Sequence, residues 1–423
     1  MKKKIILDFN KILKYFIIIQ PILDVLTSIS SEVFHLNLTI GIFVRTLFLL
    51  FVIYSTIFIY NKKKCVYIYV IFLIYFLVYI FGIFYYKNGS NVFAELQGLL
   101  RSFYFPLLLV SLYSIRDKIK IEIKDIIFAF FIYISLIVVP TILNLGFESY
   151  QITKKGTVGF FSSANEIGAI LSIVLPFVFV FLNKSKKNIT FLLIMILYIF
   201  VIVNIGTKTP ILSLIVVLFF IIIWVTIKNI LLKKYMNIIY ILIINIVIVF
   251  ITLVFLPKTA FYNNIKVHME YLKINNISEA FSNFELMDHF VFSERLTFLD
   301  NRNQLYNNSS FYFKMFGMGY CTDGKENKMV EIDCFDIYYN HGIFGFGLFF
   351  SIYIYVILNV IKNNYNKLYN FNVYLKFVSI LLSIILSIFS GHVIISPAVS
   401  FFVICILLCR TYEKKIYDVF MWM

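Results

Sequence analysis

Three closely spaced carboxylates, Glu331, Asp333 and Asp336, close a polar stretch of about eighty residues, Lys258 to Cys334, between two long apolar parts of the chain. A carboxylate there can accept the proton of an attacking hydroxyl. Asp333 and Asp336 are three residues apart, so they share one face if the segment is helical, with Asn340 a turn further on. The same residues could simply cap a helix and complement its dipole. Earlier in the stretch, Ser293-Glu294-Arg295 places a guanidinium, a planar fork suited to phosphate, in polar surroundings. Its plainer role is a surface ion pair with Glu294 or Asp300, worth at most about 1 kcal/mol.

More polar residues interrupt the apolar runs. Asp24, in Gln20-Pro21-Ile22-Leu23-Asp24, and Arg45 are each expected within a membrane span, as is Arg101, six residues after Glu95. Charges in such positions are expensive and mark either internal pairs or ligand contacts. Asp24 with Arg45, and Glu95 with Arg101, would fix helix register; an unpaired Arg45 or Arg101 would hold a lipid-linked phosphate. Gly156 to Glu166 is a glycine-bearing turn that enters a helix, with Ser162 or Ser163 as cap and Asn165 and Glu166 in the first turn. A helix N-terminus of this kind favours anions. Gly206-Thr207-Lys208-Thr209-Pro210 offers one cation between two hydroxyls, either a snorkelling lysine or a phosphate contact.

These residues need a scaffold, and composition defines it. The chain is 61% hydrophobic and 14% charged, far from a soluble domain. Counting runs of about twenty apolar residues predicts an all-α polytopic membrane protein of about twelve transmembrane helices. They fall near 12–32, 38–60, 65–86, 94–115, 125–145, 163–182, 189–205, 210–227, 238–256, 336–360, 374–390 and 393–409. The expected organisation is helices one to nine in 1–256, an extracytoplasmic loop lobe in 257–335 between helices nine and ten, and helices ten to twelve with a tail in 336–423. Basic residues fill every even gap, among them Lys62 to Lys64, Lys184 to Lys187 and Lys228 to Lys234. The positive-inside rule then puts both termini in the cytoplasm of a multi-pass plasma-membrane protein and the lobe outside. The net charge of +16 is largely this topology signal and does not point to nucleic acid.

Five cysteines lack zinc spacing, and no His, Cys and carboxylate set has clear ligand spacing, so neither metal nor cofactor is expected. Cys321 and Cys334 share the lobe and could pair. No nucleotide loop or hydrolase motif is present.

Three segments resemble the O-antigen polymerase and ligase family, particularly its Gram-positive capsule and teichuronic-type polymerases. They are Gly156 to Glu166 with the apolar residues to Pro176; Gly206 to Pro210; and Ser293-Glu294-Arg295-Leu296 followed by Phe316-Gly317-Met318-Gly319-Tyr320, running through Glu331, Asp333 and Asp336 into Gly342-Ile343-Phe344-Gly345. Ligase members commonly carry a His near the end of the outer loop, where this chain has Glu331 and Asp333; His341 lies further on, inside a predicted helix. The resemblance implies a metal-independent glycosyltransferase of the outer face, using polyprenyl-pyrophosphate-linked oligosaccharides as donor and acceptor. On that reading Asp333, Glu331 and Arg295 are catalytic, Arg45, Arg101, Lys208, Asn165 and Asp336 bind substrate, and a flippase and a chain-length regulator are the protein partners to look for. A lipid-linked oligosaccharide flippase would share the composition but should show repeat symmetry between halves, which is not seen. A ligase moving glycan to a cell-surface acceptor is the other competing reading.

Overall fold

A computed structural model describes residues 2–35, 39–87, 91–149, 156–185, 188–231, 257, 259–322 and 325–410. In hydrocarbon, each backbone N–H and C=O must find its partner within the protein, so long apolar runs become helices. They are α1 (Lys2–Glu32), α2 (Ile40–Tyr54), continued by a π turn at Ser55–Ile59, α3 (Lys64–Tyr86), α4 (Val92–Ser114), α5 (Ile123–Ile142), α6 (Ala164–Ser185), α7 (Asn188–Ile205) and α8 (Lys208–Leu231). After the lobe come α12 (Asp333–Asn364), α13 (Phe371–Phe389) and α14 (Pro397–Leu408). Among the described residues nine helices are long and apolar enough to cross a membrane, and two shorter apolar ones, Leu193–Ile205 and Pro397–Leu408, accompany them. The chain is thus an all-helical, multi-pass membrane protein. The span expected near 238–256 lies outside the described residues.

α6 is the central helix: Ile167, Ala169 to Leu171 and Ile173 to Leu175 are all buried, and it packs against α5, α7, α8, α13 and α14. Its position explains why its first turn, carrying Asn165 and Glu166, sits amid the other helix ends.

The lobe is built from α9 (Ala260–Leu272), α10 (Arg295–Asn307) and α11 (Phe311–Phe316), with short helical turns between 277 and 292 and a two-residue hairpin pairing Cys321–Thr322 with Lys325–Glu326. The last span differs from expectation. Instead of starting at 393, the helix begins at Pro397, and 390–396 forms a lobe-side loop that starts with Gly391 at φ +61°. Proline suits a first helical turn, and glycine accepts the left-handed turn that ends α13.

A second departure explains the Gly-x-Gly of the lobe. α12 breaks at Gly342 (φ +66°, ψ −172°), which would orphan carbonyls one turn back. The Gly317-Met318-Gly319 strand fills the gap: Met318 N–H donates to Tyr339 O at 2.9 Å and Gly319 N–H to Asn340 O at 3.1 Å. A Cβ on Gly317 would lie 2.0 Å from Asn340 O, so only glycine allows the approach. Arg302 of α10, a residue the sequence reading passed over, is buried alongside, donating to Gly319 O and Asn340 Oδ1 at 3.2 and 2.7 Å.

Candidate functional site

Three chain segments far apart in sequence meet where the lobe reaches the membrane helices. The first is the start of α10. Asp288 caps it from outside, accepting from Leu296 N–H (3.0 Å) and from Thr297 N–H and Oγ1 (both 2.8 Å), and this fixes Arg295 at the first position. The second is Glu331, just before α12. The third is the loop Phe389 to Ile394 after α13.

Arg295 joins them. Its Nη1 donates to Phe389 O at 2.7 Å and its Nη2 to Ser390 O at 3.0 Å and Glu331 Oε2 at 3.1 Å. The two carbonyls lie at the C-terminal, electronegative end of α13, where a cation is favoured. His392 Nε2 sits 3.8 Å from the same Glu331 oxygen. Arg295 is buried, whereas Glu331 and His392 keep about a third of their side chains exposed, 31% and 29%. Those two therefore face whatever enters the site.

The backbone here is unusual. Ser293, Glu294, Glu331 and His392 all have φ between +56° and +65°, a region costly for residues with a Cβ. Strain of about 1–3 kcal/mol per residue persists only where the surroundings hold it, and it concentrates at working sites. Gly391 allows the loop to press against Glu331, because a Cβ there would lie 2.2 Å from Glu331 O.

Asp333 and Asp336 supply the restraint. Asp333 Oδ2 accepts from Val393 N–H (3.0 Å) and Ile394 N–H (2.8 Å), which ties the His392 loop to α12. Asp336 accepts from Val330 N–H (2.8 Å) and Glu331 N–H (2.9 Å), which ties down the Glu331 turn. Both carboxylates are buried, 1% and 3% exposed, and a substrate hydroxyl does not reach them in this arrangement. Neither simply caps its own helix; each binds amides of a neighbouring loop.

Electrostatics follow from the contacts. His392, with burial opposing and Arg295 adding to its effect, pulls Glu331 down to about 2. Burial disfavours the His392 cation, but Glu331, with Glu166 and Asp333 behind it, outweighs burial and raises His392 to about 9. Near neutral pH the site holds a carboxylate between an imidazolium and a guanidinium. Lys208, at the start of α8, adds a third cation within electrostatic reach of Arg295; its Nζ donates to Phe290 O and lies 4.8 Å from the Phe290 ring centre.

The other expected site residues fall elsewhere. Arg45 is not free: it is paired with Asp24 and donates to Gln20 Oε1 from Nε (3.1 Å) and Nη2 (2.9 Å), while Tyr133 donates to Asp24. Glu95 pairs with Lys87 and not with Arg101, and it accepts from Tyr320 N–H (2.8 Å) and Cys321 N–H (3.0 Å). Arg101 is exposed on α4. Asn165 is half-buried in the first turn of α6, where Ser163 Oγ accepts from Glu166 N–H at 3.3 Å. His341 is fully buried, with Tyr320 Oη 2.9 Å from its Nε2. Arg295 pairs with neither Glu294 nor Asp300 but with Glu331. Cys321 and Cys334 are unbridged. His392 was missed, although Ser390-Gly391-His392 is a polar gap between two apolar helices on the lobe side. Among the described residues no group of three His, Cys, Asp or Glu is arranged to hold a metal ion.

A many-helix apolar bundle with a cationic, carboxylate-bearing site beneath a polar lobe defines the class as a multi-pass membrane protein. The sequence narrows it. Residues 7–410 match the profile of the O-antigen ligase like membrane proteins, so the chain belongs to that family of glycan-transferring membrane enzymes. No curated protein and no solved structure matches it.

Proposed function

We propose that the chain joins polyprenyl-pyrophosphate-linked oligosaccharide repeat units on the outer face of the plasma membrane, acting as a metal-independent polysaccharide polymerase. The observation that carries this reading is the pair of cations, Arg295 and His392, on one partly exposed carboxylate, Glu331, with Lys208 within electrostatic reach of Arg295, where the lobe meets the membrane helices. The alternation of basic gaps supports an outward lobe with cytoplasmic termini.

In the proposed reaction the acceptor sugar's hydroxyl oxygen attacks the donor's anomeric carbon. The glycosidic C–O bond forms as the bond to pyrophosphate breaks, and pyrophosphate leaves with the electron pair. Arg295, His392 and Lys208 receive its growing charge. The hydroxyl proton passes to Glu331. With only His392 and Arg295 against it, Glu331, near 2, is a poor base. A pyrophosphate seated on the same cations offsets their pull and raises its basicity as the donor arrives. Asp333 and Asp336 act through the loops they bind and are positioning residues. Arg45 is assigned to bundle packing, and Asn165 to sugar contact beside Glu166.

His392 favours a second reading, transfer to a cell-surface acceptor, since it brings an imidazole in space to Glu331, at the end of the loop where ligases of the resembled family commonly carry a His. Purified protein in proteoliposomes, supplied with a lipid-linked repeat unit alone, tests the first reading. A ladder of polymerised repeats is expected. Product only when a non-lipid acceptor is added would favour the ligase.

A further inference from the structure

Within the described spans the deeply placed charges are almost all satisfied. Asp24 holds Arg45, Asp125 lies 3.8 Å from Lys14, and Lys376 donates to Leu407 O (2.8 Å) and Cys409 O (2.9 Å). Arg101 is the exception. It sits nine residues into α4, about 13 Å of helix from the lobe-side end, yet it is exposed and has no hydrogen-bond or ion-pair partner among the described residues. Leu100 beside it is also exposed, so this face of α4 opens away from the packed bundle. One turn deeper, Tyr104 is buried within reach of the Asp24–Arg45 pair, and on the adjoining face Gly98 and Ser102 press against Tyr320, which Arg101 reaches electrostatically. Helical side chains tilt toward the N-terminus, which for α4 is the lobe side. The guanidinium therefore points toward the lobe-side end of the helix.

Arg101 makes none of the contacts that join Arg295, Glu331 and His392, nor that of Lys208 with Phe290. In the packing order α4–α14–α6–α8, two helices separate Arg101 from Lys208. Helix axes pack about 8–10 Å apart, so one pyrophosphate does not reach both. From this separation we infer that Arg101 forms a second anion site, for the phosphate of a second polyprenyl-linked substrate, the acceptor, entering from the α4 side. The inference rests on the polymerase reading and deepens it: a polymerase takes two lipid-borne substrates where a ligase takes one. Arginine suits this role because its fork binds phosphate in two-point fashion and stays charged in apolar surroundings.

The test counts sites. Full-length protein in phosphatidylcholine nanodiscs is titrated with radiolabelled undecaprenyl pyrophosphate. The wild type should bind two equivalents. Arg101→Gln should weaken one by tenfold or more and leave the other, Arg295→Gln should do the reverse, and Arg101→Lys should retain part of the affinity. Thermal unfolding and elution profile establish that each variant is folded. A single equivalent in the wild type, or two undiminished equivalents in Arg101→Gln, overturns the second site. So does loss of only the Arg101-dependent equivalent when phosphatidylglycerol is added, which would make this a place for an ordinary lipid headgroup. No binding by the wild type at all removes the polymerase reading itself.

Discussion

Two buried arginines in this protein each hold a carboxylate, and they do different work. Around Arg45, Asp24, Gln20 and Tyr133 close the set: each is buried, all come from regular helix, and both carboxylate oxygens are engaged. Around Arg295, the carboxylate comes from a left-handed turn, its neighbour His392 comes from another, and both remain partly exposed. The first pair locks α1, α2 and α5 together. The second is held open by restraints from outside, Asp288, Asp333 and Asp336. An arginine–carboxylate pair therefore does not mark a site; strained backbone and exposure of one member do.

The comparison predicts opposite signatures on mutation. Glu331→Gln should cut turnover by about 10²–10⁴-fold with normal membrane levels, because it removes the proton acceptor and leaves the shape. Cells carrying it should accumulate lipid bearing a single repeat unit; long polymer from that variant would end the base assignment. Asp24→Asn should do the reverse. Stranding the Arg45 charge in the bundle costs about 3–5 kcal/mol, read as lost protein or a lowered unfolding midpoint, while the molecules that fold keep near-normal turnover. Like behaviour of the two variants would mean that both arginine pairs do the same work.

A smaller effect sharpens it. Asp333→Asn keeps an acceptor oxygen for the Val393 and Ile394 amides, so as a positioning residue it should lose about 10–100-fold through misplacement of His392. Loss as deep as that of Glu331→Gln would move the base to Asp333.

The pH profile gives the mildest contrast. His392 is raised to about 9, so its contribution to stability is present below its ordinary 6.5 and is lost as pH rises through 9. Glu331 is lowered to about 2, so its contribution is present above 4.5 and is lost only as pH falls through 2. Turnover should therefore decline on the alkaline side near pH 9, and His392→Gln should remove that limb. A wild-type limb that persists unchanged in His392→Gln would assign it to another group.

Much of the scaffold was legible because hydrocarbon leaves a chain few choices. Runs such as Ile123 to Ile142 can only be helices, and the polar interval before Asp333 can only leave the bilayer. Arg295, Lys208 and Glu331 were legible because each is a charge at a lobe-side junction. What could not be read was pairing. Glu331 and His392 are 61 positions apart, and only the folding of α12 and α13 side by side brings them together. Glu95 was offered to Arg101, six residues on along the same helix, but Lys87 from the end of α3 pairs with it instead. Asp333 and Asp336 were expected to act on substrate, or else to cap their helix, because sequence shows their own helix and not the loops they hold.

The broken turn of α12 bears on how the protein is made. Until Met318 and Gly319 reach Tyr339 and Asn340, that helix has bare carbonyls and inserts poorly. The strand that covers them is synthesised about twenty residues earlier, so it waits on its own side of the membrane when α12 arrives. Insertion of the late helices and maturation of the lobe are thereby one event. An epitope tag tolerated at Asn276 should, placed at Gly317, cost the cell the whole C-terminal bundle.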